Sequence, residues 1–283
     1  MPELPEVETT VKGLNLKALN RAFVGLWTDI EKFKKLNGIK GKKIIKIYRR
    51  GKNIIFDLNK GYSLLIHQKM TGHLLYGLWE LKNNKWEPIR AEIMKDRVNT
   101  YIHLIFYLDN GKMLALSDLR KFAKAELWKT EELLNSEGFK KLGPEPLDKS
   151  FSFEKFKERI KNKKGKIKQV LMDQEVFVGV GNIYSDEALW IAKINPLKKT
   201  SELSEKELKN LFEAVIKVLK SGIKLGGESF AEYRNIDGEK GNFDNERKAY
   251  KREGEKCSRC GSVIKRIKIG GRSAHFCPNC QMI

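Results

Sequence analysis

Hydrophobic positions in the first 135 or so residues alternate with polar ones over short runs, which is typical of β-strands. These runs are rich in β-branched and aromatic residues, and turn signals such as Asn110-Gly111 separate them. The clearest runs are KKIIKIYRRGKNIIFDL, YSLLIHQ, YIHLIFYLDNGKMLALSDL and AKAELW. This part of the chain is therefore predicted to form an antiparallel sandwich or barrel.

Two other regions follow a helical period. Leu4, Val7, Val11 and Leu14 lie on one face of a predicted helix, and Pro5 occupies a first turn, where proline is tolerated. From residue 151 to about 225 the apolar period is again helical, which predicts a second, helical domain. Residues 139–150 are predicted to be a linker, and the glycine-containing residues 226–250 a mobile loop.

Composition narrows the class of protein. The chain of 283 residues is 41% hydrophobic and 10% aromatic, which excludes intrinsic disorder and collagen-like structure. It carries 56 Lys and Arg against 36 Asp and Glu, a net charge of +20 that favours a polyanionic partner, with nucleic acid as first candidate. A Lys- and Glu-rich thermophilic surface is the alternative. With no membrane segment and no secretory signal in the sequence, a soluble, cytosolic protein is predicted.

The cysteine spacing predicts a metal site. All four cysteines lie in two C-x2-C knuckles separated by sixteen residues: Cys257, Cys260, Cys277 and Cys280. Four thiolates complete a tetrahedral shell, so the predicted zinc ion is structural; disulfide pairing is the alternative. Between the knuckles, a strand, a turn at Gly270-Gly271 and a returning strand are predicted. Arg272 beside that turn is placed to bind a phosphate or, alternatively, to remain solvated.

The chain start offers a candidate nucleophile. If Met1 is removed, Pro2 carries a secondary amine, and α-amino groups titrate near pH ~7.7–8.0, far below the ~10.4 of lysine. Such an amine attacks an aldehyde or aminal carbon without further activation. Glu3 and Glu6 follow closely enough for acid–base chemistry, although acids in a first helical turn also simply favour the helix dipole.

Eight motifs, in order, resemble those of formamidopyrimidine-DNA glycosylases, also called 8-oxoguanine DNA glycosylase/AP lyases. They are MPELPEVETT, YRRGKNIIFDL, HQKMTGHL, SDLRKF, LGPEPL, VGVGNIYSDEALW, DGEKGNFDNERKAYKREGEKC and GGRSAHFCPNCQ. The resemblance implies a multidomain α+β fold: an N-terminal two-layer β-sandwich with an N-terminal helix, a helix-two-turn-helix domain and a C-terminal zinc β-hairpin, with DNA in a cleft. We expect these domains at residues 1–135, 150–226 and 245–283.

The resemblance also assigns residues to the reaction. Pro2 resembles the family's Schiff-base nucleophile, Glu3 its proton donor and Glu6 a supporting acid. Lys52 matches a lysine that binds phosphate beside the lesion and assists the first elimination; an ordinary solvated lysine at a strand edge is the alternative. Arg272 matches the hairpin arginine that grips phosphate and assists the second elimination.

Further residues match DNA-contacting positions of the family. Met70, Arg120 and Phe122 match the residues that fill the space left when a base is extruded, a space that is costly to leave empty. A core position is the alternative for Met70 and Phe122. Asn182 lies at a helix start that is suited to a phosphate, and equally to a plain N-cap. His103, Lys164 and Lys168 match other DNA-contacting positions; burial of Lys168 under a helix face is the alternative for that residue.

The resemblance implies a bifunctional DNA glycosylase/AP lyase of base excision repair. Its expected substrates are 8-oxoguanine and formamidopyrimidines in double-stranded DNA, together with abasic sites. One structural zinc ion and no organic cofactor are expected, as are a monomeric state and a bacterial-type cytoplasmic location on nucleoid DNA. The alternatives are the sister branch that excises oxidised pyrimidines and a catalytically inactive, zinc-dependent protein that binds damaged DNA.

Three departures from the family pattern bear on specificity. HQKM replaces the usual HLGM, which puts Lys69 at a glycine position, and RKFA replaces RRFG, which introduces Ala123. The segment around residues 79–100 is longer than expected and is predicted to extend a hairpin. These departures affect the expected choice of lesion and opposite base and leave the expected reaction unchanged.

Overall fold

The structure, a computed structural model, describes residues 1–89, 93, 96–229 and 232–283. It contains two compact units: Met1–Lys140 with Leu225–Asp244, and Lys141–Lys224 with Asn245–Ile283. Among the described residues, no helix is long and apolar enough to cross a membrane.

The first unit contains the predicted β-sandwich. The strands are β1 (Phe23–Thr28), β2 (Ile44–Arg50), β3 (Asn53–Leu58), β4 (Tyr62–His67), β5 (His73–Gly77), β6 (Trp79–Lys82), β7 (Lys85–Pro88), β8 (Ile102–Leu108), β9 (Met113–Ser117) and β10 (Lys124–Lys129). One antiparallel sheet has the order β1-β8-β9-β5, and the other has the order β10-β4-β3-β2. Gly111, at φ +75°, lies in the turn between β8 and β9, which confirms the hairpin predicted at Asn110-Gly111.

Alternation along the strands separates two apolar faces. Ile54 and Phe56 of β3 point into the core between the sheets, whereas Ile55 packs outside with Leu133. At the centre of the core, the rings of Phe23 and Phe106 lie 5.2 Å apart. The outer face of β3 is covered by the short helices α2 (Thr130–Asn135) and α3 (Glu137–Lys140), where Leu133 and Phe139 belong to the same apolar cluster.

Helix α1 (Leu4–Lys17) packs on this core through the predicted stripe. Val7, Val11 and Leu14 belong to the apolar cluster between the sheets, and Leu4 is fully buried. The prediction of a helix almost at the chain start is confirmed. Its first turn is thereby held against the sandwich rather than left to fray in solvent.

The second unit contains the predicted helices and the zinc hairpin. The helices are α4 (Phe153–Lys161), α5 (Ile167–Met172), α6 (Asn182–Ala192) and α7 (Glu205–Lys224). Phe156 lies at the centre of an aromatic cluster, with ring centroids 5.6 Å from Phe177 and 5.5 Å from Phe212. The predicted C-terminal hairpin comprises β11 (Lys265–Ile269) and β12 (Arg272–Phe276), joined at Gly270-Gly271, both at positive φ.

The first unit also contains two segments outside the sandwich sheets, around residues 79–100 and 226–244. The predicted extension around residues 79–100 contains the β6–β7 hairpin and a short 3₁₀ helix, Arg97–Thr100, while residues 90–92 and 94–95 lie outside the described residues. Residues 226–229 and 232–242 are irregular, as predicted, and a 3₁₀ turn, Phe243–Glu246, follows them. Residues 230 and 231 lie outside the described residues. The irregular segment predicted to be mobile is nevertheless tied down: Gly241 N donates to Ser229 Oγ at 2.8 Å, and Ser229 N donates to Asp244 Oδ1 at 2.8 Å.

We expect Phe106→Ala to destabilise the first unit by about 3–5 kcal/mol, because the ring is fully buried and its loss leaves a cavity. Denaturant unfolding followed by tryptophan fluorescence measures the change. Phe122→Ala is the matched control, since that ring is 50% exposed, and we expect a change within about 0.5 kcal/mol. Equal losses in the two variants would contradict the assigned core.

Candidate active site

The start of α1 holds two buried carboxyl groups. Glu3 and Glu6 are each 1% exposed, and the backbone N–H of Glu3 donates to Glu6 Oε2 at 2.7 Å. Residue 2 is buried beside them, whereas Met1 is exposed. Because carboxylates are seldom buried unless they are hydrogen-bonded or functional, the pair marks this end of the helix as a candidate reaction centre.

Glu6 is held from a second side by a distant part of the chain. Its Oε1 accepts a hydrogen bond from the backbone N–H of Glu228 at 2.8 Å, and its carbonyl oxygen accepts one from the Tyr233 hydroxyl at 2.9 Å. Gly227 has φ +88°, and a Cβ there would lie 2.9 Å from Glu6 Oε1, so a side chain does not fit. Burial raises the pKa of Tyr233, which therefore stays a neutral donor.

The Glu6 contacts to Gly227, Glu228 and Tyr233 were missed by sequence reasoning. The adjacent glycines Gly226 and Gly227, both at positive φ, were the available signal. Nothing in their spacing indicates a partner more than two hundred residues away.

Lys52 lies in the turn between β2 and β3 and is 8% exposed. The neighbouring imidazole of His67 has its pKa lowered to about 3 by burial and by the positive charges of Lys69, Lys52 and Lys124. His67 is therefore neutral, and its Nδ1 accepts the backbone N–H of Lys69 at 2.9 Å. The ring proton is thus on Nε2, so this corner combines a polar N–H donor with three lysines and suits an anion.

The three predicted space-filling residues lie on two loops that one carboxylate joins. Asp118, 2% exposed, accepts hydrogen bonds from the Thr71 hydroxyl and, at 2.7 Å, from the Ala123 N–H. Arg120 N also donates to Thr71 Oγ1 at 3.1 Å, which fixes the loop after Met70 against the loop that carries Arg120 and Phe122. The Arg120 guanidinium stacks over the half-exposed Phe122 ring at 4.5 Å.

Two lysines close to the predicted space-filling residues adopt a left-handed backbone conformation. Lys69 and Lys121 adopt φ +55° and +58°, a conformation that glycine adopts without strain. Lys69 stands where the family usually has glycine, and its left-handed backbone conformation costs some stability that a glycine would not lose. Lys121 and the predicted DNA-contacting His103 both pair with Asp29, at 3.6 and 2.9 Å.

In the second unit, three residues that are predicted to contact DNA are exposed or partly exposed. Lys164 and Arg272 are exposed, and Arg272 is the first residue of β12. Gly270 permits the close approach of the hairpin turn to α5, because a Cβ there would lie 2.3 Å from Gln169 Nε2. Asn182 begins α6, and its Oδ1 has no hydrogen-bond partner among the residues described.

The structure places Lys168 in the interior, as in the alternative to a DNA contact. Its ammonium group is 1% exposed and donates to Asn182 O at 2.9 Å, Ser185 Oγ at 2.8 Å and Asp186 Oδ1 at 2.7 Å. All three N–H bonds are therefore used inside the protein, and none is left for a phosphate.

Asp186 connects that lysine to the zinc hairpin. Its Oδ2 accepts hydrogen bonds from the backbone N–H of His275 at 3.0 Å and the ring Nδ1 of His275 at 2.9 Å. The next residue, Glu187, accepts backbone N–H bonds from residues 248, 249 and 250, the segment leading into the hairpin. Two consecutive side chains of α6 thus dock the hairpin on the helical part of this unit.

The four cysteines meet the requirements of a structural zinc site. Their Sγ atoms all lie within 4.8 Å of one another. A tetrahedral ion with Zn–S bonds of ~2.3 Å needs sulfurs about 3.8 Å apart, so the cluster has the right size and donor set. The chain binds one structural zinc ion here, and four thiolates leave no open position for catalysis.

The predicted site residues therefore form two sets. Pro2, Glu3, Glu6, Lys52, Met70, His103, Arg120 and Phe122 belong to the first unit, and Lys164, Lys168, Asn182, Arg272 and the cysteines to the second. Within the first unit, Glu3 and Glu6 are brought together at the buried residue 2. Lys52 joins the lysine-rich corner at His67.

Comparison with known proteins identifies relatives along the whole chain. Residues 1–125 match the formamidopyrimidine-DNA glycosylase N-terminal domain, 142–233 its H2TH domain, and 254–282 the zinc finger found in FPG and IleRS. The formamidopyrimidine-DNA glycosylase of Desulforamulus reducens is 38% identical over 99% of each chain. A Lactococcus lactis FPG mutant, G226P, solved with Fapy-dG-containing DNA, matches with a TM-score of 0.87 at 35% identity over 100% of each chain. The Lactococcus lactis Fpg complex with abasic-site DNA has a TM-score of 0.85 at 35% identity, over 99% of this chain and 100% of that chain.

We expect removal of zinc by a chelator to unfold the C-terminal hairpin, because modules of this size depend on their metal for folding. Metal analysis should return one zinc ion per chain, and hydrogen exchange should localise the loss of protection to residues around β11 and β12. Re-addition of zinc should restore protection. A hairpin that stays protected after complete metal loss would contradict the assignment.

We expect Lys168→Met to destabilise the second unit by about 3–5 kcal/mol, because it leaves the buried Asp186 carboxylate without its cation. Denaturant unfolding measures the effect. Lys164→Met, at an exposed position four residues earlier, should stay within about 0.5 kcal/mol. The opposite ranking would contradict the interior role of Lys168.

Proposed function

The chain belongs to the formamidopyrimidine-DNA glycosylase family of base-excision-repair enzymes, and from this premise we propose that it is a bifunctional DNA glycosylase/AP lyase for oxidised purines. Its substrates are 8-oxoguanine and formamidopyrimidines in duplex DNA, and its products are the free base and a one-nucleotide gap. The observation that carries this proposal is the pair of buried carboxyl groups of Glu3 and Glu6 directly beside residue 2. Relatives that match over 99–100% of this chain were solved with Fapy-dG and abasic-site DNA.

Pro2 is the nucleophile once Met1 has been removed. Its secondary amine is partly unprotonated near neutral pH, because α-amino groups titrate far below lysine. The nitrogen lone pair forms a bond to the sugar C1′, and the C1′–base bond breaks as the base leaves with a proton. Glu3 delivers a proton to the deoxyribose ring oxygen, the ring opens, and an iminium joins Pro2 to C1′.

Strand cleavage follows from the iminium, which makes the C2′ protons acidic. Loss of a C2′ proton breaks the C3′–O bond and releases one phosphate, and loss of the C4′ proton in a second elimination breaks the C5′–O bond. Water then hydrolyses the iminium, which frees Pro2 and releases the remaining five-carbon sugar as an unsaturated aldehyde. Lys52 binds the phosphate beside the lesion and assists the first step, and Arg272 does so for the second. Glu6 is the supporting acid; its carboxylate fixes the backbone on which Glu3 and Pro2 are carried.

Binding requires that the damaged base leave the stack. Arg120 and Phe122 are exposed together on one loop, and Met70 lies in the loop joined to it through Thr71. We assign to them the filling of the vacated space: the arginine pairs with the orphaned base, and the ring stacks between neighbours. Lys164, Asn182 and His103 are assigned to the DNA backbone, where the net charge of +20 favours association.

Borohydride trapping tests the nucleophile. We expect a covalent adduct with duplex DNA containing 8-oxoguanine or a formamidopyrimidine, because borohydride reduces the iminium to a stable amine. The protein should be expressed behind a removable leader that exposes Pro2 on cleavage. Peptide mapping of the adduct should place the DNA on Pro2.

The uncleaved fusion is the matched control, since its Pro2 nitrogen is an amide and cannot attack. An adduct formed equally by the fusion, or none after leader removal, would contradict the mechanism. A parallel panel of oxidised pyrimidines decides the lesion class: faster excision of those bases than of 8-oxoguanine would assign the chain to the sister branch.

A further inference from the structure

The described part of residues 79–100 forms a platform on the outer face of the β1-β8-β9-β5 sheet. Its core is a separate apolar cluster that includes Trp79, Ile93 and Ile105. Trp86 of β7 packs edge-to-face on Trp27 at 5.4 Å. The described part of residues 79–100 thus covers the outer face of this sheet, and the reaction proposed above gives it no role.

Asp96 joins the platform to the segment that contacts Glu6. It accepts the Val98 N–H at 3.3 Å at the start of the 3₁₀ helix, and it accepts Arg234 Nε and Nη2 at 2.6 and 2.5 Å. Arg234 is 4% exposed, and its Nη1 donates to Ser229 O at 3.3 Å. Burial acts to raise the pKa of Asp96, but the bonds from Arg234 and Val98 outweigh it and lower that pKa, so the pair is ionised.

Asn99 forms a second tether. Its Nδ2 donates to Gly238 O at 3.0 Å and Ile93 O at 2.9 Å, so its Oδ1 faces His73 Nε2 at 3.0 Å. Burial lowers the pKa of His73 to about 4, which leaves a neutral ring that donates from Nε2. The fully buried Asn99 amide is thus satisfied only while Gly238 stays in place.

The same segment is held on α1 from the other side. Lys17 pairs with Asp237, and Ile236, 2% exposed, packs where a Cβ on Gly13 would lie 2.7 Å away. Tyr76 N donates to Ile236 O at 2.8 Å. All of these contacts lie within the chain, so residues 227–229 are held against Glu6 without any contact from DNA.

We propose that Asp96 and Asn99 are positioning residues for the reaction centre, a role that rests on the proposed function. By holding Arg234 and Gly238, they keep the Glu228 N–H on the Glu6 carboxylate. The segment is then ordered before a damaged nucleotide reaches Pro2, and binding carries no further cost of ordering it. The platform therefore sets the affinity for the damaged nucleotide and leaves the rate of bond breaking unchanged.

Asp96→Asn tests the proposal, because it removes the charge that faces the buried Arg234. If the tethered state falls to about a tenth of molecules, the DNA concentration at half-maximal rate rises about tenfold, since apparent affinity scales with the competent fraction. The maximal single-turnover rate on lesion-containing duplex should stay the same. Hydrogen exchange without DNA should show faster exchange in peptides covering residues 227–229 and 232–238.

Two matched variants separate tethering from general damage. Asp96→Glu keeps the carboxylate and should restore most of the affinity. Glu31→Gln removes the charge of an exposed pair with Lys34 in the same unit and should change neither quantity. Unchanged exchange in Asp96→Asn, or a maximal rate that falls in parallel with the folded fraction while half-saturation stays fixed, would overturn the proposal. A wild-type enzyme that cuts no lesion overturns the proposed function instead, and exchange then still decides whether Asp96 holds the segment.

Discussion

The first unit depends on the carboxylate of Glu6. One oxygen holds the backbone of Glu3 at the start of α1, and the other holds the backbone of Glu228. Glu6 makes both of these backbone hydrogen bonds only when both segments are in place, and losing either segment removes a hydrogen bond from a buried polar group, which is costly. The position of the chain start and the path of a loop more than two hundred residues later therefore depend on each other.

The second unit uses the same device in α6. Asp186 lies between a buried lysine and the hairpin histidine, and Glu187 gathers three backbone N–H groups. In both units, buried acidic side chains hold backbone N–H groups or a cationic side chain in place.

Local patterns were enough to predict much of the fold. The stripe from Leu4 to Leu14, the turn at Asn110-Gly111 and the knuckles around Cys257 each depend on neighbours a few residues apart, and the structure confirms them. Lys168 could not be placed in the same way, because an exposed and a buried lysine look identical until the partner at residue 186 is known. The bonds of Glu6 to Glu228 and of Asp96 to Arg234 join distant residues, and no periodicity reports such pairs.

The discontinuous first unit has a consequence for how the protein is made. Residue 228 is synthesised 222 residues after residue 6. The last strand of the sandwich, β10, ends at Lys129, 99 residues before residue 228. At roughly 5–20 residues per second, the sandwich therefore waits about five to twenty seconds for the segment that completes the surroundings of Glu6. During that interval the helical unit between them is being translated. The reaction centre is therefore finished late in synthesis, after the helices that follow the sandwich have left the ribosome.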